Sequence, residues 1–383
     1  MDEKDLNQIY EYMLSIRRQL HEYPETGFDL PKTVETVAGE LSAMGITPMF
    51  HYGEGSVVAQ LGQGETAIAL RADMDALPVR EETDLPYASK IPGQMHACGH
   101  DAHTAILLGV AKYLKQREHL LPCQVRLIFQ PSEECAVSGA ALLVKNGVME
   151  GVDQVLAAHC ENELETGLLG VCAGDYMAAC APLTIEFFGR TSHATVPQAG
   201  IDAIRMATEA YAALEQAVMV EAGSSPYIWS VGKFSGGQAH NVIADYCRLD
   251  ISFRFYDMDF ARRMEAETQR ICHGITEKYG GRVAIDWKIS TGAVHNNPQL
   301  AAAFQASGEK SGLDIRPLTP KMSSEDFGWY LTKAPGLLFR FGTRNEALGC
   351  TAPAHRNDFT IDEAGMKYAF LAFTAYVLNF KST

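Results

Sequence analysis

The sequence predicts an α/β fold in which a smaller, ferredoxin-like α+β domain is inserted into a domain built on a doubly wound, mostly parallel sheet. In the N-terminal part of the chain, strands alternate with helices, as in a parallel sheet covered by helices on both faces. The middle third changes to the order strand–helix–strand–strand–helix–strand, which is typical of a split ferredoxin-like unit. After about Gly292 the helices and short strands return. We therefore expect residues 1–178 and 293–383 to form one domain and residues 179–292 to form the inserted domain.

Apolar spacing and helix-ending residues define the elements of the first segment. Ile106, Leu107 and Val110 recur at helical spacing, whereas Pro24 and Gly45 mark the ends of helices. The strands are mostly apolar, as expected where helices cover both faces of a sheet. The predicted helices are the stretch up to His21, Lys32–Met44, Ala102–Gln116 and Gly139–Asn146. The predicted strands are Ser56–Leu61, Thr66–Asp73, Val125–Gln130 and Val152–Ala158.

The inserted domain is predicted from strands with alternating apolar residues, such as Leu249, Ile251 and Phe253. Its elements, in order, are Leu183–Phe188, Ile201–Met219, Tyr227–Phe234, Cys247–Phe255, Phe260–Tyr279 and Arg282–Ile289. The last segment adds a helix at Gln299–Ser311, a strand at Gly336–Phe341 and a helix from Asp362.

Composition excludes several classes of protein. The net charge of −15 argues against a nucleic acid or an anionic membrane surface as the main partner. No apolar run reaches the roughly 18 residues of a membrane span, and residues 1–5 lack the profile of a secretory signal. Nine cysteines, an odd number spread singly along the chain, indicate reduced thiols rather than a disulfide framework. We therefore expect a cytoplasmic protein.

The segment from His96 to His103 concentrates a thiol, three imidazoles and a carboxylate where a loop meets a helix. A Cys-x-His pair such as Cys98 and His100 can bind one metal ion or two adjacent ones, and Zn²⁺ accepts both ligand types. The same pair is equally compatible with a buried cysteine beside a histidine at a helix N-terminus.

Further donors follow the predicted strands. Glu133 and Glu134 come after one buried strand and His159 after another, while His355 lies in a loop that contains Pro353. Taken singly, the acids could belong to a solvated loop and each histidine could be structural. Strand ends meet at the edge where open sheets bind ligands, so together with Cys98 and His100 these residues predict a site for two adjacent metal ions. The residues alone leave open which glutamate is the ligand.

Eight blocks in chain order resemble one protein family. The blocks are Arg17–Glu25, Arg71–Pro78, His96–Asp101, Phe129–Glu134, Ala158–His159, Gly189–Ala194, Gly236–Ile243 and Glu325–Phe327. They resemble the metal-dependent amidohydrolase branch of the aminoacylase/carboxypeptidase superfamily, which includes hippurate hydrolases, N-acetyl-diaminopimelate deacetylases and auxin-conjugate hydrolases. The blocks are spread in order over nearly the whole length of the chain.

The resemblance implies roles for the donors. Cys98 is implied as a thiolate shared by both metals, with His100 and Glu134, and His159 and His355, completing the coordination. Glu133 is implied as the general base that takes a proton from the metal-bound water. Asp73, Asp75 and Asp101 are expected to orient ligand histidines. The resemblance implies two divalent ions per subunit, and Zn, Mn, Co and Ni all tolerate this donor set.

The resemblance also assigns residues of the inserted domain, which is implied as a lid and dimerisation domain of a homodimer. His193 is expected to polarise the scissile carbonyl. Asn241 and Arg254 are expected to hold a substrate carboxylate, although a structural ion pair is an equal alternative for Arg254. His103, His240 and Met322 are expected to be packing or loop residues. The chain departs from the family pattern at Thr191, Ser192, Gln198, Ser323 and Ser324.

These expectations predict hydrolysis of the amide bond of a small N-acyl amino acid or related conjugate. Cleavage of small peptides by a metallo-carboxypeptidase or dipeptidase is the nearest alternative. An enzyme with Cys98 as nucleophile and His100 as its base is another. The third is a non-catalytic metal-binding or amino-acid-binding protein.

Overall fold

The computed structural model describes residues 2–380 and divides into two compact units. The first unit contains the described residues up to 176, residues 295–320 and the residues from 326 onward. The second unit contains residues 177–294 and 321–325. The second unit therefore holds the predicted insertion and also a short piece of the C-terminal part of the chain.

The described residues form nine α-helices and thirteen strands. The helices are α1 (Glu3–Glu22), α2 (Pro31–Ala43), α3 (His100–Lys115), α4 (Gly139–Lys145), α5 (Ala203–Ala222), α6 (Met258–Tyr279), α7 (Pro298–Lys310), α8 (Gly328–Leu331) and α9 (Gly365–Leu378). The strands are β1 (Val57–Leu61), β2 (Ala67–Asp73), β3 (Gln124–Gln130), β4 (Gln154–Glu165), β5 (Leu168–Val171), β6 (Gly174–Met177), β7 (Ala179–Phe188), β8 (Tyr227–Gly236), β9 (Tyr246–Phe255), β10 (Arg282–Trp287), β11 (Val294–Asn296), β12 (Asp314–Pro317) and β13 (Gly336–Arg344).

A seven-stranded sheet in the order β1-β3-β2-β4-β13-β5-β12 forms the centre of the first unit. The central strands β3, β2, β4 and β13 run parallel, whereas β1 pairs antiparallel with β3 and β5 with β13. Every residue of β2 is buried, as expected for a strand covered on both faces. The carboxyl ends of the parallel strands meet at one edge of the sheet, so β2 and β3 deliver the residues that follow them to the same place.

The second unit is an antiparallel sheet in the order β10-β7-β9-β8, with α5 and α6 packed against it. Alternate residues of β9, including Leu249, Ile251 and Phe253, are buried in the cores between the sheet and the helices. The order along the chain, β7-α5-β8-β9-α6-β10, is the predicted ferredoxin-like one. The predicted fold class is confirmed.

One predicted boundary is wrong in a way that matters for the site. The strand expected to end at Ala158 continues as β4 to Glu165, so His159 lies within a strand rather than after one. The polar residues beyond Ala158 hide this extension in the sequence. Asn162 is nevertheless buried because its amide donates to the carbonyl oxygens of Ala352 (2.7 Å) and Thr360 (2.8 Å). The short strands β5, β6, β11 and β12 have no counterpart among the predicted elements.

None of the helices between residues 2 and 380 has the length and apolar character needed to cross a lipid bilayer.

Candidate functional site

Cys98 and His100 flank the point where a long loop enters helix α3. Gly99 between them has φ +81°, the left-handed region that favours glycine. A Cβ at Gly99 would also lie 2.5 Å from Cys160 Sγ. Gly99 therefore allows the chain to turn into α3 and to pack closely against β4. Both Cys98 and His100 are buried at this junction.

Hydrogen bonds to backbone carbonyls fix the tautomers of His100 and His159. Carbonyl oxygens only accept, so His100 Nδ1 donates to the oxygen of Asp75 (2.8 Å) and His159 Nδ1 to that of Cys160 (2.7 Å). In the neutral rings Nε2 is then the unprotonated nitrogen. His159 Nε2 lies 3.4 Å from Cys98 Sγ, and the buried His100 Nε2 has no hydrogen-bond partner among residues 2–380. Metal-ligating histidines are commonly oriented in this way.

The two glutamates follow β3 through a constrained turn. Ser132 has φ +54°, which is uncommon for a residue with a side chain, and its hydroxyl donates to the carbonyl of Val137 (2.7 Å). The carboxylate of Asp75 accepts the backbone N–H of Glu133 (2.9 Å) through one oxygen and that of Glu134 (3.1 Å) through the other. Asp75 therefore orients His100 with its carbonyl, while its carboxylate holds the peptide that carries both glutamates.

His355 reaches the same place from the C-terminal segment. Its φ of +71° is the second left-handed value at a non-glycine residue among the described residues. The backbone N–H of His355 donates to the carbonyl of Ala97 (2.8 Å), and its Nε2 lies 3.1 Å from Glu134 Oε1. The two strained residues, Ser132 and His355, thus both belong to the candidate site, where strain is most often retained.

The predicted metal ligands converge. Six groups of donors in the described residues have ligand atoms within 4.8 Å of one another, and three of these overlap at the predicted ligands: Cys98, His100 and His159; Cys98, Glu134 and His355; and His100, Glu133 and Glu134. A thiol, a carboxylate and three imidazoles, of which His100 and His159 have an unprotonated Nε2 in the neutral ring, form a donor set that suits borderline divalent ions. The residues therefore fit two cations, with Cys98 common to two of the groups.

The environment of Cys98 disfavours the cysteine-nucleophile alternative. Burial, together with the nearby charge of Glu134, raises the pKa of the Cys98 thiol well above its usual range. Reactive cysteines instead have lowered pKa values. A bound cation would favour the thiolate, because metal ligands must be deprotonated.

The carboxylate of Asp73 accepts hydrogen bonds from His103 Nδ1 (2.6 Å) and from the buried Arg71 (2.7 Å). His103 Nε2 in turn accepts the backbone N–H of Cys160 (2.9 Å), next to His159. His103 therefore connects the end of β2 to the strand that carries His159.

Asp101 was expected to orient a ligand histidine, and the structure instead directs it to helix α1. Its Oδ2 accepts from Arg17 Nε (3.1 Å) and lies 2.8 Å from His21 Nδ1. Burial alone would raise the pKa of Asp101, but the charges of Arg17 and His21 hold it well below its usual range. Arg17 also binds Glu363 (2.8 Å), so this network ties α1 to the residue that follows His100.

His193 and Asn241 lie together in the second unit although they are far apart in sequence. The backbone N–H of Ala194 donates to the carbonyl of Asn241 (2.9 Å), and His193 forms an isolated β-bridge with Val242. The side chains of His193 and Asn241 are exposed.

Arg254 also belongs to the second unit and lies on β9. It donates to the hydroxyl of Ser324 (2.8 Å) and to the carbonyl of Met322 (3.2 Å). Ser324 is one of the departures from the family pattern, and a glycine in its place would offer no hydroxyl. Met322 contributes its carbonyl rather than its side chain.

Sequence reasoning does not find two features of the site. The strained turn at Ser132 has no sequence signal, because the residue is not glycine. The two hydrogen bonds that the Asp75 carboxylate accepts from peptide N–H groups join segments that are distant in sequence. Arg17 and His21 could have been found, because they stand in one of the eight blocks.

The fold and the donor cluster define a metal-site hydrolase of the α/β class, and comparison with known proteins places it in a family. Residues 69–379 match the model of Peptidase family M20/M25/M40, and the chain belongs to this family. Thermostable carboxypeptidase 1 of Saccharolobus solfataricus is 33% identical over 99% of this chain and 98% of that protein. N-acetyl-L-cysteine deacetylase of Bacillus subtilis is 33% identical over 94% of this chain and 86% of that protein. The crystal structure of the YXEP protein of Bacillus subtilis, a dinuclear metal binding peptidase of the M20 family, has a TM-score of 0.83 and 30% identity, covering 97% of this chain and 98% of that one.

Proposed function

We propose that this hydrolase cleaves the amide bond of small N-acyl amino acids, releasing a carboxylic acid and a free amino acid. The single observation that carries the proposal is the convergence of Cys98, His100, Glu134, His159 and His355, with Glu133 beside them. A deacetylase and a dinuclear family member among the similar proteins support it.

The five converging side chains would hold two divalent metal ions, which we propose to be Zn, Mn, Co or Ni. Such ions supply positive charge that lowers the pKa of water and stabilises an oxyanion. Cys98 and Glu134 contribute two negative charges and the histidines none, so the occupied site would keep a net positive charge suited to an anionic transition state.

Glu133 is proposed as the general base. It lies next to Glu134, and its Oε2 is 4.0 Å from His100 Nε2. We infer that it accepts a proton from the attacking water and later passes it to the leaving amine. Asp75 serves this step by holding the peptide groups of both glutamates through its two carboxylate oxygens.

His193 is proposed to donate a hydrogen bond to the scissile carbonyl, which stabilises the developing oxyanion. Arg254 and Asn241 are proposed to bind the substrate carboxylate. Arg254 is already oriented by Ser324 and the carbonyl of Met322, and a guanidinium can bind a carboxylate through two parallel hydrogen bonds.

A metallo-carboxypeptidase is the second candidate, and the similarity to thermostable carboxypeptidase 1 favours it. Both reactions cleave an amide near a free carboxylate, so the same side chains serve either one. The two differ in whether the acyl group on the carbonyl side of the scissile amide is a simple acyl group or belongs to an amino acid.

We further propose a cytoplasmic homodimer. Strand β8 is at the edge of the antiparallel sheet and exposes Ile228 and Phe234. Unpaired edge strands are natural templates for a second chain. All nine cysteines are free, which supports a reducing compartment.

The test is a substrate screen on chelator-treated protein resupplied with each of the four metals. N-acetyl and N-benzoyl amino acids are compared with unblocked dipeptides by the release of free amine. We expect metal-dependent turnover with kcat/KM at least about tenfold higher for the acyl amino acids. Preference for dipeptides would support the carboxypeptidase instead, and no turnover with any metal would contradict both.

A further inference from the structure

The side chain of His193 is held by a neighbour that the family pattern does not single out. The hydroxyl of Thr195 lies 2.8 Å from His193 Nδ1, and the backbone N–H of Thr195 points at the same nitrogen at 3.3 Å. Both contacts come from a residue two positions along the same exposed loop. Both contacts are therefore local to this loop.

The backbone contact at 3.3 Å shows which nitrogen carries the proton, whereas the shorter contact of the hydroxyl is the stronger of the two hydrogen bonds. A peptide N–H can only donate, so His193 Nδ1 must accept and is unprotonated in the neutral ring. The Thr195 hydroxyl, which can donate or accept, then also donates to Nδ1. The proton of the neutral imidazole is left on Nε2, which therefore presents an N–H.

Backbone hydrogen bonds fix the segment around this pair. The N–H of Val196 donates to the carbonyl of His193 (2.8 Å), and the N–H of Ile243 donates to that of Ser192 (2.9 Å). The bond from Ala194 to Asn241 lies between them. The loop is thus attached to the segment containing Asn241 on both sides of His193, which keeps Thr195 in register with the ring.

We propose that Thr195 is a positioning residue that locks His193 in the Nε2–H tautomer and so makes it a hydrogen-bond donor. This inference rests on the proposed function, in which His193 donates to the scissile carbonyl. In the opposite tautomer Nε2 would carry a lone pair and repel the carbonyl oxygen. Locking the tautomer beforehand removes the cost of selecting it in each catalytic cycle.

The experiment compares Thr195→Val, which removes the hydroxyl at nearly constant shape, with Thr195→Ser, which keeps it. The tautomer is read directly from two-bond ¹H–¹⁵N correlations of the imidazole in protein labelled at histidine, at alkaline pH. The spectrum of His193→Asn identifies the signal by its loss. The metal-loaded wild type and Thr195→Ser should show a protonated Nε2. Thr195→Val should show a mixture of tautomers, because it keeps only the longer backbone contact of 3.3 Å.

Kinetics provide the second readout. Loss of one neutral hydrogen bond should lower kcat of Thr195→Val about threefold to tenfold with KM nearly unchanged, while Thr195→Ser stays near wild type. A wild-type spectrum with protonated Nδ1, or an unchanged spectrum for Thr195→Val, overturns the inference. A changed spectrum with unchanged kcat overturns the role of Thr195 in the reaction. Failure of the proposed function is distinct, because the wild type would then turn over no N-acyl amino acid whatever the spectra show.

Discussion

The donor pocket of the first unit and the His193 loop of the second position their side chains by different means. In the pocket, buried charges and hydrogen bonds between distant segments do this: Asp75 alone contacts His100, Glu133 and Glu134. In the loop, an exposed histidine is held by its own backbone and by Thr195. Substitutions in the pocket should therefore disturb several groups at once, whereas those in the loop should act on one.

The largest effect is expected for Glu133→Gln. Glutamine keeps the size of the side chain but cannot accept the proton, so kcat should fall about 10²-fold to 10⁴-fold. Metal content, measured by atomic emission, should stay at the wild-type value. Retained activity would remove Glu133 from the reaction and support a non-catalytic binding protein.

His193→Asn should lower kcat by about 10²-fold, the usual loss on removing one oxyanion donor. Because the side chain is exposed and is not among the metal donors, metal affinity and the thermal midpoint should not change. If His193→Asn lost metal affinity by the same factor as kcat, substitutions in the loop would not act on one group alone, and the contrast with the donor pocket would be wrong.

Asp75→Asn should weaken metal binding about tenfold to a hundredfold, as is typical when a group supporting the ligands is changed. An amide offers one oxygen, so one of the two peptide N–H groups of Glu133 and Glu134 must lose its partner. Equilibrium dialysis measures the affinity. Asp84→Asn, an exposed acid on the same long loop, is the control and should bind metal like the wild type.

The smallest effect concerns pH. Burial of His21 would lower its pKa, but Asp101 and Glu81 outweigh it and raise the pKa above the usual value. A histidine with a raised folded-state pKa stabilises the folded protein fully at pH values below its unfolded-state pKa, near 6.5. This contribution to the free energy of unfolding is lost as the pH rises through the folded-state pKa.

Urea unfolding at pH 6 and pH 9 tests this contribution, with His21→Asn as the reference. The wild type should have a higher free energy of unfolding than the variant at pH 6, and this difference should shrink by on the order of 1 kcal/mol at pH 9. The size follows because a tenfold difference in proton affinity between the folded and unfolded states corresponds to about 1.4 kcal/mol. A pH-independent difference between the two proteins would show that His21 is not charged in the folded protein.

The sequence predicts the fold class and most elements because apolar spacing is a local signal. It also indicates the donors, because Cys98, His100, Glu133 and His159 fall at predicted loop or strand ends. The extension of β4 past Ala158 cannot be predicted from the sequence. The buried amide of Asn162 in this part of the strand donates to carbonyl oxygens that only the tertiary fold brings close.

The supporting contacts are harder to predict than the ligands. The carboxylate of Asp101 could equally have faced His100 or helix α1, and the position of Arg17 decides between them. In the same way, nothing in the residue types shows that the carboxylate of Asp75 binds peptide groups while its backbone carbonyl binds the imidazole of His100. These choices depend on distances between segments, which composition and spacing do not encode.

The most direct test of the converging donors is the metal stoichiometry of Cys98→Ala. Cys98 belongs to two of the donor groups, so the wild type and Cys135→Ala, an exposed cysteine control, should each take up about two divalent ions per chain. Cys98→Ala should retain fewer than one under the same dialysis. Two ions bound by Cys98→Ala, or none by the wild type, would contradict the account.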